Sequence, residues 1–362
     1  MKDKTKDFIV SVSFTFVLIL FLILNIIKKD DEISIQERRK LASFPEISKE
    51  TLTNGEFSDE FETYSNDQFV GRNLFRKVKY YFNDKILMQN DTNKLFVKDN
   101  SIYKLDYKLS ETSIKNVTDR MNYIKEKYLD NSEIYYSIIP DKTYYLDDNY
   151  LKLDYEKIKN IMSENLTDFK YIDIFSDLNI NDYYRTDLHW KQENLEKISN
   201  KMLNEIIGES YKKSKYNFEE IDEFYGAYYG QLGANIEPDK IIYLTNDVIQ
   251  NSKTYNVETL KTKEVYDLDK ITSPDKYDIF VSGATPIINI ENENAENSKK
   301  LILFRDSFGS SFAPLLLENY SEIVLIDLRY INYKFLEEYV DFENSDVLFL
   351  YSGVVLNSNT IK

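Results

Sequence analysis

The sequence predicts an α/β protein, a doubly wound sandwich around a mostly parallel sheet, led by one apolar helix at its N-terminus. Three observations carry this. Beyond Lys94, short apolar runs alternate with amphipathic helical stretches, the pattern of β-α-β units whose sheet is covered on both faces. Phe8 to Ile27 is an uncharged, mostly apolar run of 20 residues, which as a helix spans roughly 30 Å, the thickness of a bilayer core. The composition, 42% hydrophobic with 30 Tyr and 22 Phe in 362 residues, suffices to bury a substantial core.

Taken in order, residues 1–7 carry Lys2, Lys4 and Lys6, which favour a cytoplasmic N-terminus and an extracytoplasmic remainder. Residues 8–27 are read as an uncleaved transmembrane signal-anchor. A cleaved signal peptide is the rival; the length of the run and the bulky Asn25-Ile26-Ile27 speak against it. Residues 28–94 form a linker and helical lead-in that docks on the main domain. Asn54-Gly55 marks a turn, Phe57, Phe61 and Tyr64 recur at helical spacing, and Leu74 to Phe82 is amphipathic. Residues 95–362 form the main domain. Strands are expected at Ile134–Ile139, Tyr171–Phe175, Leu301–Phe304, Ile323–Asp327 and Val347–Tyr351. Helices are expected at Tyr155–Leu166, Trp190–Ile207, Phe312–Leu317 and Phe335–Val340. The stretch 208–300 breaks this rhythm and reads as a β-rich insertion, with strands at Ile241–Leu244 and Ile279–Val281 and a solvated loop at Glu291–Lys300.

Charge and composition remove several function classes. A net charge of −16 argues against a nucleic-acid partner, because phosphate backbones need a basic face. With no cysteine there are no disulfides and no thiolate zinc sites. His189 is the chain's one histidine, so catalytic zinc is disfavoured and no cofactor is expected. It is also the one imidazole available for acid–base chemistry near neutral pH.

Two segments can carry chemistry. In Leu301-Ile302-Leu303-Phe304-Arg305-Asp306-Ser307-Phe308-Gly309 a buried strand ends and Ser307 sits where the chain turns into a helix. That is the carboxyl edge of the sheet, where open α/β proteins place their ligands, and the helix N–H groups, Ser307's own included, are candidate oxyanion donors. The plainer account is that Asp306 or Ser307 caps the helix. In Asp187-Leu188-His189-Trp190, Asp and His two apart project to the same side, so the carboxylate can fix one ring nitrogen and leave the other as base. The plainer account there is that Asp187 caps a helix starting near Trp190. Together the segments supply Ser307 as nucleophile, His189 as base and Asp187 as orienting acid. Arg329, after the strand ending at Asp327, is a candidate substrate contact, or else half of a salt bridge. Tyr184 and Trp190 are further candidate substrate contacts, and Gly283 a candidate oxyanion donor. Asp141-Lys142 is read as a loop at the carboxyl edge.

These motifs bring out a resemblance. The chain resembles the DHHW proteins and, more distantly, the alginate O-acetyltransferase-like SGNH-hydrolase group. The likeness runs through Arg38 to Pro45, Gly55 to Ser58, Asp67 to Arg72, Tyr184 to Trp190, Arg305 to Gly309 and Val324 to Tyr330. It implies an SGNH-hydrolase-like three-layer α/β/α fold in which the Asp-x-His motif precedes the serine. It implies Ser307, His189 and Asp187 in the roles above, and a polysaccharide substrate. A multispanning membrane O-acyltransferase would deliver the acetyl group. Leu188 stands where the family name has a second histidine, and Arg305 where SGNH esterases have glycine. Acetyl transfer, ester hydrolysis by the same residues and a non-catalytic polysaccharide-binding role all remain open from sequence.

Overall fold

The structure, a computed structural model, describes residues 2–89, 91–129, 132–295 and 298–361. It divides into two units, Met1–Asn93 with Tyr229–Asn235, and Lys94–Tyr228 with Ile236–Lys362.

The first unit begins with one helix, Lys2–Ile27. From Lys4 to Ile27 it is long and apolar enough to cross a membrane, and none of its most apolar stretch is buried in the protein. The one amide inside the run is satisfied: Asn25 Nδ2 donates to the Phe21 carbonyl and Asn25 Oδ1 accepts the Val70 N–H, both at 2.8 Å. Gln68 ties down the following segment, accepting from the Asp31 N–H and donating to the Asp31 and Ala42 carbonyls. Helix Glu56–Gln68 carries Phe57, Phe61 and Tyr64 against Phe44. Gly71, at φ +74°, turns the chain into helix Arg72–Tyr81, which runs on as a π-turn over Phe82–Ile86.

The second unit is built on an eight-stranded sheet. In chain order its strands are β1 (Ile134–Ile139), β2 (Lys170–Tyr171), β3 (Lys253–Asn256), β4 (Lys261–Glu264), β5 (Ile287–Glu291), β6 (Lys300–Arg305), β7 (Glu322–Ile326) and β8 (Ser345–Ser352). Their spatial order is β4-β3-β5-β7-β6-β8-β1-β2. The five strands from β7 to β2 are parallel; β5, β3 and β4 extend one edge antiparallel. Alternate residues feed two cores. Tyr135, Leu303 and Leu348 join Trp190, Ile198 and Leu315 on one face. Tyr136, Ile302 and Val347 join Ile114, Val117 and Ile158 on the other. Helices Glu111–Tyr128 and Tyr155–Asn165 cover the second face, and Glu196–Ile207 covers the first, completing the three-layer sandwich.

Several expected elements differ. The Tyr171–Phe175 strand shrinks to the two residues of β2, the short edge expected where unpaired backbone must be limited. The helix expected from Trp190 starts at Glu196, because Trp190 bridges Tyr183 instead. Phe312–Leu317 is mostly 3-10, with Pro314 removing a backbone donor, and Phe335 adopts non-helical backbone inside a 3-10 turn over Tyr333–Glu338. Of the strand expected at Ile279–Val281, Ile279 closes a 3-10 turn over Lys276–Ile279 and Phe280 keeps a single bridge to Tyr266, while Val281 and Ser282 take positive φ and turn the chain away. The insertion is split: Asn217–Phe224 pairs with Asp239–Thr245 as its own hairpin, while its remaining strands join the central sheet. Of the Glu291–Lys300 loop, residues 296 and 297 lie outside the described residues.

Candidate active site

The carboxyl ends of the parallel strands lie along one edge of the sheet. β6 ends in Arg305, and Asp306 follows in extended backbone. Asp306 Oδ1 accepts the Phe308 N–H at 3.0 Å, and its Oδ2 accepts the Ser352 N–H at 2.8 Å, tying the turn to the end of β8. So Asp306 is the cap, and Ser307, the first residue of helix Ser307–Phe312, is left partly exposed. Gly309 lies against the Arg305 side chain, where a Cβ would collide.

The Asp-x-His segment is a tight loop. Tyr183 and Trp190 bridge its stem, with the Tyr184 N–H donating to the His189 carbonyl and the Lys191 N–H to the Asp182 carbonyl. At its tip Asp187 Oδ1 accepts the His189 N–H at 3.0 Å and lies 2.6 Å from His189 Nδ1. His189 Nε2 lies 2.8 Å from Ser307 Oγ. The structure thus brings Asp187, His189 and Ser307 into one hydrogen-bonded row across 118 positions of sequence. With Nδ1–H held by the carboxylate, Nε2 is the nitrogen free to take a proton.

Four groups that sequence reasoning missed hold this row. Asp187 Oδ2 accepts the Ala227 N–H at 2.6 Å. That approach needs Gly226, where a Cβ would overlap the Asp187 side chain and the Thr186 carbonyl. Asp239 Oδ2 accepts from the Thr186 N–H at 2.8 Å and hydroxyl at 2.6 Å, and its Oδ1 accepts the Arg185 N–H. Tyr277 stacks on the imidazole, centroids 3.9 Å apart and planes 8° from parallel. Its hydroxyl donates to Ser311 at 2.8 Å, and burial keeps its pKa well above the ordinary value. Lys142, expected only as a loop residue, is buried, and its Nζ donates to the carbonyls of Tyr184, Arg185 and Asp187 at 2.9, 3.1 and 2.8 Å. Burial pulls its ammonium down to about 7, against the opposing pull of Asp187, Asp239 and Asp141. A usable signal was Gly226-Ala227, two small residues in a Tyr-rich stretch of a chain with nine glycines.

The other expected contacts fall elsewhere. Tyr184 and Trp190 have no exposed surface and cannot face a substrate; both were drawn into the core by their ring area. Trp190 Nε1 donates to the Phe308 carbonyl at 3.1 Å and to Ser311 at 3.0 Å, clamping the serine's helix to the histidine's loop. The Gly283 N–H is spent on the Phe280 carbonyl in a turn, so it is no oxyanion donor. At the start of the serine's helix, Asp306 takes the Phe308 and Gly309 N–H groups, and the Ser307 N–H is the donor not so engaged. Arg329 spends Nε and Nη2 on both oxygens of Asp327, at 2.9 and 2.6 Å. Arg305 is fully buried, with Nη1 3.6 Å from the same carboxylate; burial lowers its pKa. A small cleft takes in Leu188 and Phe308, the chain neighbours of His189 and Ser307, together with Lys104, Asp106, Asp141, Lys142, Thr143, Tyr228 and Val354; none of the three row residues lines it.

Residues 155–326 match the DHHW protein family. That DHHW segment contains both the Asp187–His189 loop and Ser307, and it bears out the resemblance carried by the motifs. The chain is similar in structure to a DHHW family protein from Eubacterium siraeum, at 20% identity and a TM-score of 0.60, covering 74% of this chain and 93% of that one. It is also similar to Bacillus cereus PatB1, solved with a sulfonyl adduct, at 21% identity and a TM-score of 0.60, covering 76% and 99%. Likeness at these identities shows the fold alone, a mixed α/β sandwich around a mostly parallel sheet. No curated protein matches the sequence.

Proposed function

We propose that this DHHW protein is a membrane-anchored, extracytoplasmic O-acetyltransferase that works through an acyl-enzyme on Ser307. The observation that carries the reading is the row itself, with His189 Nε2 2.8 Å from Ser307 Oγ and Nδ1 2.6 Å from Asp187. Ser307 Oγ attacks the acyl carbonyl while His189 Nε2 takes its proton. Asp187 and the stacked Tyr277 stabilise the imidazolium, and the Ser307 N–H donates to the oxyanion. The proton passes to the leaving group as the acyl bond to the donor breaks. In the second half, an acceptor hydroxyl gives its proton to Nε2, attacks the acyl-serine and releases Ser307 Oγ–H. Transfer requires that water be a poorer acceptor than the bound sugar, so the acyl-serine is expected to be shielded from water when the acceptor is bound. The polysaccharide acceptor, and a multispanning membrane O-acyltransferase as acetyl source, follow from the resemblance of the motifs. Helix Lys2–Ile27 is the proposed anchor.

The test uses the full chain in detergent with an activated acetyl ester, beside Ser307→Ala and His189→Ala. Acetate release and an acetyl group on Ser307 by mass spectrometry are expected in the wild type and in neither variant. Oligosaccharide acceptors that leave acetylated in place of free acetate, as turnover of the acyl-serine speeds up, distinguish transfer from hydrolysis. A folded wild type that never acylates removes the enzymatic reading in favour of a polysaccharide-binding role.

A further inference from the structure

Helix Arg72–Tyr81 and the π-turn after it carry an apolar face that stays largely exposed, touched within its own unit at Phe75 by Phe21 and Phe69. Leu74, Phe75, Val78, Tyr81 and Phe82 are between 46% and 63% exposed. At 100° per residue these five fall within an arc of about 120°. Ile86, Leu87 and Met88 prolong the exposed apolar surface. The opposite side is fixed inward: Arg72 and Arg76 pair with Glu37 at 2.7 and 3.0 Å. Lys79 and Lys85 remain exposed at the flanks. Between Arg72 and Ile86 there are five basic residues and one acid, in a chain of net charge −16. A soluble domain does not leave such a stripe facing water.

What covers it is indicated by its neighbour. The Phe75 ring packs edge-on against Phe21 of helix Lys2–Ile27, centroids 5.9 Å apart, and Phe69 stacks on the same ring at 5.5 Å. Phe21 lies six residues inside the end of that helix, about 9 Å along its axis. An interfacial amphipathic helix buries its apolar face about 5–10 Å into the headgroup–acyl boundary. We infer that residues 72–88 form an interfacial helix lying in the outer leaflet, its apolar face in the acyl region and its lysines among anionic headgroups. This rests on Lys2–Ile27 spanning that membrane. The apolar span and the stripe are then one continuous lipid-facing surface, hinged at Phe21.

The chain has no cysteine, so single-cysteine variants of the full protein need no background removal. Leu18→Cys, Val78→Cys and Asn73→Cys would each carry an environment-sensitive fluorophore in vesicles of phosphatidylglycerol and phosphatidylcholine. Quenching is read with nitroxide-bearing lipid and with aqueous iodide. The expected result is several-fold stronger lipid quenching at positions 18 and 78 than at 73, with iodide in the reverse order. If position 18 is lipid-quenched and position 78 is as open to iodide as 73, the interfacial helix is wrong and the span stands. If position 18 is not lipid-quenched, the span itself fails. Shielding of position 78 from both quenchers would mean a protein partner or a second copy covers the stripe, which also overturns the proposal.

Discussion

The two units handle polarity in opposite ways. The sheet unit buries charges and amides and bonds them: Asp187, Asp239, Asp306 and Lys142 are each fully or nearly fully buried, each with two or more partners. The helical unit leaves Leu74, Val78 and Tyr81 in the open while its charges pair among themselves. A buried, fully bonded polar row is costly unless it positions something, and an exposed apolar stripe is costly unless its solvent is not water. On the proposals above, that difference has one explanation: the first unit meets lipid, and the second holds a proton-transfer geometry.

The largest expected effect comes from unbalancing the row. Asp187→Asn keeps the shape but offers an amide to His189 Nδ1 and favours the wrong tautomer. Acylation of Ser307 by an activated ester should fall by on the order of 10⁴-fold. Retention of activity within tenfold would mean that the bonded row is structural, and the contrast between the units would lose its functional meaning.

Lys142 comes next, as a positioning residue. Three carbonyls need three N–H donors, which an ammonium has and a neutral amine lacks. Because burial brings the pKa to about 7, loop order should decline as pH rises past it. Stability runs the other way: from pH 7 to the ordinary lysine range the unfolded chain holds the proton and the folded chain does not, so unfolding free energy rises with pH there. Lys142→Met should lower kcat by roughly 10–100-fold with little change in KM, and the alkaline limb near pH 7 should vanish. An unchanged pH profile in the variant would remove Lys142 from the site.

What was legible in the sequence follows the range of the interactions. Parallel strands buried on both faces write themselves as continuous apolar runs, which is why β1, β6, β7 and β8 were readable. β3 and β4, at the polar edge of the sheet, were not: Lys253-Thr254-Tyr255-Asn256 has no apolar alternation to read. Ser307, His189 and Asp187 stood out because side-chain chemistry lies in residue identity. Ala227 and Lys142 did not, because they act on or through backbone atoms of a segment tens of residues away, and no local pattern encodes that. Tyr184 and Trp190 were misplaced for the opposite reason: aromatic rings beside a motif look like platforms, and only packing reveals that they are its floor.

Glu193 tests the rule by its exception. It lies three residues past Trp190, and its Oε2 is buried without a hydrogen-bond partner. Burial raises its carboxyl to about 7, with Asp239 and Asp182 adding repulsion and Lys191 opposing. The folded chain therefore holds a proton that the unfolded chain has released between about pH 4.5 and 7, so this group's contribution to stability is lost as pH rises through that window. Glu193→Gln removes the buried charge. Relative to wild type, the variant should gain on the order of 2 kcal/mol in unfolding free energy on going from pH 5 to pH 8, read by denaturant titration at each pH. A difference that does not move with pH would mean that Glu193 is hydrated and ionised throughout. The sheet unit would then contain a wet pocket behind Trp190, and its contrast with the lipid-facing stripe would be weaker than the bonded row alone implies.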